Sequence, residues 1–336
     1  MTVLAGLTHY ISGVPDVVAF IVATVALASG AWMLSFATEQ VGERLGPAVT
    51  GFMHSSLGNL PEFFVVLFAL RAGERVVAET AILGSILVNA LLVLGLVIIV
   101  GAQRADDGVM RFSPRLPNDT ATLLLVSSFI IVLVGLANSS QDSASHHIQT
   151  ISIVGAVAIL IVYATWLRQY LRSDASARPS SELPRLPFAL SMTLLVVAGA
   201  AAAIVSEWFV DALQPTIHTL HISEAFAGLV IVATAGNAVE NLSGIVLAWK
   251  GRSELAISVV KNSVAQIAAF LYPLLVLVSL LTVTTLTFAL APVYIGALLG
   301  TAVIVWQITG DGEATVFEGA ALIAAFVILA TVALFE

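Results

Sequence analysis

Two short stretches carry the residues with the most chemical potential: "GNLPE" at 58–62 and "GNAVE" at 236–240. Each sets an asparagine one helical turn ahead of a glutamate, so amide and carboxylate share one helix face. The second copy follows the first by 178 positions, and both are embedded in apolar chain. A carboxylate in such surroundings is costly unless it faces a polar cavity, binds a cation or takes up a proton. A glutamate that does the last two by turns couples cation movement to proton movement within one side chain. Pro61 has no backbone N–H and loosens the helix around it. Gly58 and Gly236 permit local unwinding, which bares backbone carbonyls. Carboxylate, amide and carbonyl oxygens together suit a hard cation such as calcium. The expected metal ligands are Glu62 and Glu240, with Asn59 and Asn237 completing the cation- and proton-binding set.

Polar residues recur in the apolar run that follows each motif: Ser85 and Asn89 in "GSILVN", then Asn262, Ser263 and Gln266 in "KNSVAQ". Isolated residues of this kind often only glue helices together; their recurrence after both glutamates makes them expected supports of the site. Glu39 and Glu43 in "ATEQVGE" and Glu207 and Asp211 in "SEWFVD" fall at run ends. They read either as interfacial charge or, for Glu39 and Glu207, as access or gating carboxylates. Glu74, Glu79, Glu224 and Glu254 adjoin loops and read as solvated. His54 serves as a proton relay, a gate or a packing histidine; His146, His147, His218 and His221 fall in loops. Lys261 is a cation inside an apolar run, for which Glu254 and Glu240 are the candidate partners.

These side chains need elements that cross a membrane. The 336-residue chain is 59% hydrophobic and only 10% charged, with a mean hydropathy of +1.03. A water-soluble domain would carry about 25% charged residues. The apolar runs are continuous rather than alternating, which favours helices over strands. They predict spans over 17–37, 47–70, 76–101, 119–138 and 147–168, then 187–213, 222–248, 254–280, 283–306 and 316–335. One set of alternate loops holds Arg44, Arg104, Arg111, Arg115, Arg168, Arg172, Arg178, Arg185, Lys250 and Arg252. The opposite set holds only Arg71 and Arg75. This asymmetry places the first set in the cytoplasm and both termini outside. The expected organisation is a short segment 1–16, a five-helix repeat 17–168, a cytoplasmic linker 169–186 and a second five-helix repeat 187–336. Because each repeat has an odd number of spans, the two glutamate motifs enter the membrane from opposite faces, as an inverted repeat requires. The fold class is therefore all-α integral membrane protein, with two inverted-topology repeats and about ten principal helices in a multi-pass arrangement in the cell membrane.

Other classes are excluded or disfavoured. With no cysteine there is no disulfide and no thiolate metal site. A net charge of -8 argues against nucleic acid as partner. The amino terminus lacks the basic region of a signal peptide. No phosphate-cradling G-x-x-x-x-G-K-[ST] loop is present, so ATP hydrolysis within the chain is not expected. An enzyme is not expected, nor a resident cofactor. Calcium is the expected transported substrate, with protons and the lipid bilayer as the other partners; a homo-oligomer is compatible with the sequence.

"GNLPEFFVVLFAL" and "GSILVNALLVLG" resemble the first signature region of the calcium/proton antiporter family, within the calcium/cation antiporter superfamily. "GNAVENLSGIVLAWKG" and "NSVAQIAAFLYPLLVL" resemble the second, and the likeness runs from about residue 20 to 335. The resemblance implies two inverted five-helix repeats around a central cation site, usually preceded by one extra helix. It implies that Glu62 and Glu240 form the acidic pair that binds calcium and protons alternately. It matches Asn59, Asn237, Ser85, Asn89, Ser263 and Gln266 to polar signature positions, and Glu39 and Glu207 to acids on flanking mobile helices. The chain departs from the pattern in its short N-terminal segment, at Leu60, at His54, in "KNSVAQ" and in a linker with few acids. The implied activity is calcium/proton exchange by alternating access. Sodium/calcium or other divalent cation exchange is the alternative, ahead of a passive cation channel or a membrane scaffold.

Overall fold

The computed structural model describes residues 1–11, 13–42, 53, 57–113, 115–174 and 186–336. The apolar runs fold as helices because a helix satisfies its backbone polar groups internally, as a lipid environment demands. A short helix α1 (Thr2–Tyr10) precedes α2 (Asp16–Gly42), α3 (Leu60–Ala72), α4 (Arg75–Arg104), α5 (Arg115–Ser140) and α6 (Ile148–Asp174). The second half holds α7 (Phe188–Leu220), α8 (Glu224–Gly236), α9 (Ala238–Trp249), α10 (Ser253–Leu281), α11 (Pro292–Thr309) and α12 (Val316–Leu334). Among the described residues, eight helices are long and apolar enough to cross a membrane, or nine if the bent pair α8–α9 counts as one span. The start of the span predicted over 47–70 lies outside the described residues, and α3 is its described end.

The halves repeat each other in backbone detail. Gly73 ends α3 at φ 86° and Gly251 follows α9 at φ 72°, again 178 positions apart. Both tight turns need the left-handed conformation that glycine adopts freely. The hairpin α3–α4 thus has its counterpart in α9–α10. Helices α4 and α10 are the most enclosed of the spans, which puts the segments after each glutamate motif at the centre. The long helices α2 and α7 pack against each other. Helix α1 lies on both, with Gly6 so near Trp208 that a Cβ would come within 2.9 Å of its ring.

Two predicted spans need correction. The run 222–248 is not one straight helix, because it bends by 58° between α8 and α9. The run 283–306 is helical only from Pro292. Before that, the Thr-rich residues 282–291 run as irregular backbone, buried at Leu286–Leu290 and held there by side chains. Tyr272 donates to the Thr287 carbonyl at 2.9 Å, Ser152 accepts from the Phe288 N–H at 3.2 Å, and Ser279 accepts from the Leu286 N–H at 2.8 Å. Irregular backbone is tolerated in a membrane protein where protein buries it in this way. Apolarity alone did not distinguish that segment from a helix.

At the other end of the spans, Val109–Arg111 (β1) pairs antiparallel with Glu313–Thr315 (β2), joining a loop of the first half to one of the second. Arg111 holds Asp107 at 2.7 Å and Glu313 at 3.1 Å. Glu254 accepts the Ser113 N–H at 2.6 Å, while Arg104 donates to the Trp249 carbonyl at 3.0 Å and lies over its ring.

Candidate functional site

Both signature helices break at their asparagine. Asn59 sits at φ −85°, ψ 7° and Asn237 at φ −92°, ψ 8°, the sparsely populated region between helix and strand. Each asparagine carbonyl accepts the first bond of the new helix, from Phe63 N–H and Asn241 N–H, both at 3.0 Å. Glu62 and Glu240 then occupy matching places in the first turns of α3 and α9. The N–H groups of a helix start favour negative charge, so the break gives the Glu62 carboxylate a polar setting. Of Glu240 only the backbone position is described.

Glu62 is 5% exposed and reaches across the repeat boundary. Its carboxylate lies against Gly236, where an added Cβ would come within 3.0 Å of Oε1 and 3.2 Å of Cδ. The cavity beside it is about 10 Å³ and is lined by Val66, Ile82, Ser85, Val232, Gly236 and Leu271, among others. That is room for about one water, so a cation here would exchange its hydration shell for protein oxygens. A far larger groove, about 780 Å³ between α2 and α8–α9, is lined by apolar residues and a few hydroxyls. Its described lining residues include no ionisable side chain, whereas Glu62 lines the small cavity.

Next to Glu62 a belt of hydrogen bonds ties three spans from both halves. Asn89 Nδ2 donates to Asn237 Oδ1 at 3.1 Å and to Ser263 Oγ at 3.3 Å. Asn237 Nδ2 donates to Ser85 Oγ at 2.9 Å and to the Ala233 carbonyl at 3.0 Å. Wider π-turns interrupt α4 at Val88–Val93, α8 at Ala227–Val232 and α10 at Ile267–Leu271; such turns recur at functional sites. One crossing, of α4 with α8, brings the halves into close contact at two points. A Cβ on Gly84 would lie 2.6 Å from Leu229 Cα, and one on Gly228 would lie 2.9 Å from the Val77 carbonyl oxygen. Only glycine allows helices this close.

The structure therefore brings together Glu62, Ser85, Asn89, Asn237 and Ser263, with Asn59 buried at the break just before Glu62. It separates others that the sequence grouped with them. Asn262 turns aside, donating to Ser258 Oγ at 3.5 Å. Gln266 neighbours the Tyr163 hydroxyl of α6 rather than joining the belt, because α10 presents it to a different neighbour. Glu39 and Glu207 are exposed on the paired helices α2 and α7. His54 and Glu43 lie outside the described residues. Glu79, expected in solvent, is largely covered and pairs with Arg75 at 2.7 Å. Asp211 faces His9 of α1 at 3.9 Å. Lys261 is not paired with Glu254; it donates to Thr309 Oγ1 at 2.9 Å. Sequence reasoning missed Thr309 and the crossing glycines, although small residues within polar-rich spans were a usable signal for the latter. Among the described residues no three of His, Asp and Glu converge.

Comparison with known proteins agrees with this architecture. The sodium/calcium exchanger protein family matches residues 16–168 and 190–335. The Ca(2+)/H(+) antiporter ChaA of Bacillus subtilis is 30% identical over 335 residues, covering 98% of this chain and 94% of its own. The vacuolar calcium ion transporter of Schizosaccharomyces pombe is 31% identical, covering 92% of this chain and 77% of its own. The solved structure of native YfkE superposes with a TM-score of 0.82 at 26% identity, covering 100% of this chain and 96% of that one. With two inverted repeats, two broken signature helices and this spread of similarity, the chain belongs to the sodium/calcium exchanger protein family.

Proposed function

We propose that the protein is a secondary active antiporter that exchanges calcium for protons by alternating access. The observation that carries this reading is Glu62, buried at a helix break and pressed against Gly236 of the other half. A carboxylate so enclosed is stable when it holds a proton or a cation, and one excludes the other. Glu240 occupies the equivalent place in the inverted half, and the pair are the ligands that calcium and protons share. Asn59 supplies oxygen beside Glu62, while Asn237, Ser85, Asn89 and Ser263 hold the central spans in register. Helices α2 and α7, which carry Glu39 and Glu207, cover the site from one side and move to open it to either face. The domain boundaries follow the repeats, at 17–168 and 187–336, with the 169–186 linker on the cytoplasmic side of the cell membrane.

The glutamate pair on its own moves two protons for one calcium, an exchange without net charge. The test is calcium uptake into proteoliposomes under an imposed pH gradient. Uptake that collapses with the pH gradient and ignores sodium is the expected result. Uptake driven by sodium and indifferent to pH would overturn the reading.

A further inference from the structure

Lys261 is the cation that this mechanism leaves unused. It sits two turns into α10 and is 2% exposed, among the largest fully enclosed side chains in the protein. Its Nζ donates to Thr309 Oγ1 at 2.9 Å, and Thr309 in turn donates to the Val305 carbonyl at 2.7 Å. No carboxylate lies within ion-pair distance of it among the described residues. Glu254, one of the two acids anticipated for it, is occupied with the Ser113 N–H at 2.6 Å, and the side chain of Glu240, the other, lies outside the described residues on α9, which packs along α10. The nearest charged groups along the chain are Glu254 and Arg252 at the start of α10 and Asp311 just beyond α11. A fixed ammonium in such a place is costly, whereas a neutral amine keeps the same hydrogen bond to Thr309. Two residues further along the same helix, Ser263 Oγ accepts from Asn89 in the belt. A divalent ion held beside that belt repels an ammonium through the same poorly screened interior.

We propose that Lys261 is a third proton carrier of the exchange. It releases its proton when calcium occupies the glutamates and regains one when calcium leaves. The proton passes to or from water on whichever side the site then faces. This rests on the calcium/proton reading above. Each cycle then returns three protons for one calcium, and one positive charge moves with the protons. Thr309 is a positioning residue that holds the amine in either state.

The experiment measures the equilibrium calcium gradient in proteoliposomes against an imposed potassium diffusion potential. For wild-type protein, each tenfold potassium gradient should change the calcium ratio about tenfold, because one net charge moves per cycle. For Lys261→Met the change should vanish while pH-driven calcium uptake persists. Lys261→Arg, which keeps its charge at all working pH values, should also lose the voltage response and should need more calcium for half-maximal uptake. A wild-type gradient blind to the potential, or a Lys261→Met gradient that still follows it, overturns the proposal. Absence of any pH-driven uptake by wild-type protein would instead overturn the calcium/proton reading itself. Should Lys261→Met not fold, the Lys261→Arg and Thr309→Val proteins decide: voltage response unchanged from wild type in Lys261→Arg refutes the carrier role, and Thr309→Val is expected to retain the response with a shifted pH profile.

Discussion

Replacing Gly236 by alanine tests the placement of Glu62 with a single methyl group. The new Cβ would stand 3.0 Å from Glu62 Oε1, 3.1 Å from Cγ and 3.2 Å from Cδ. Comfortable contacts are roughly 3.5–4.0 Å, so the carboxyl must retreat by about half an ångström. Its side chain can rotate, and the overpacking should cost only about 1 kcal/mol. The better helix propensity of alanine, worth up to about 1 kcal/mol, offsets that cost. Folding should survive, but an ion-binding oxygen displaced by this amount should weaken calcium activation by about tenfold or more. The matched control is Gly84→Ala. There the methyl would meet Leu229 Cα at 2.6 Å and its carbonyl carbon at 2.7 Å, backbone that no rotamer change can move. Its stability loss should reach about 3 kcal/mol. The assays are thermal unfolding in detergent and calcium-dependent proton flux in proteoliposomes. Wild-type calcium dependence in Gly236→Ala would refute the placement, and so would equal destabilisation of the two variants.

Glu62→Gln and Glu240→Gln should each give folded, membrane-inserted protein without calcium-coupled proton flux; near-normal flux in either removes that residue from the site. Glu→Asp at the same positions should weaken binding by less, since the charge is kept and only retracted. The pH dependence of transport should not arise in the strand pair β1–β2. Arg111 holds the Asp107 carboxyl below its usual range, helped by the Val109 N–H, and Asp107 in turn raises Arg111. The Asp107 contribution is therefore present above the ordinary aspartate range and is lost only as pH falls through its lower folded value. Arg111→Gln should leave the pH profile of flux unchanged between about pH 5 and 8, and a moved profile would count against this. Gly73→Ala and Gly251→Ala should each destabilise by about 1 kcal/mol in thermal unfolding, because both turns lie at positive φ.

Much of this architecture was legible because bilayer crossing imposes long apolar runs and one set of alternate loops collects most of the arginines. The repeat was legible because "GN" recurs three residues ahead of a glutamate at a constant offset, and the glycines that close α3 and α9 keep that offset. What pattern could not supply was direction. Asn262 and Gln266 lie on a polar stretch beside Ser263, yet only Ser263 meets Asn89, since each step along α10 turns the side chain toward another neighbour. Nor could hydropathy reveal that residues 282–291 are irregular rather than helical, because burial by protein and burial by lipid select the same side chains. The partnership of Glu62 with Gly236 joins positions in opposite halves, and no local signal encodes such a meeting.

The mutual approach of Gly84 to Leu229 and of Gly228 to Val77 gives the central crossing the character of a caliper. At Gly84 its jaw is main chain alone, and at Gly228 it is the Val77 carbonyl together with the short Thr80 side chain. The separation of the α4 and α8 backbones is thus set by peptide geometry, and a rotamer change does not alter it. An ion smaller than the gauge leaves some of its ligands out of reach, and a larger one must push a pair of backbones away from each other. Size discrimination would then reside outside the ligands themselves, at two glycines that never touch the ion. Widening the gauge, as a methyl group at position 228 would, should trade discrimination between calcium and smaller divalent ions before it abolishes transport.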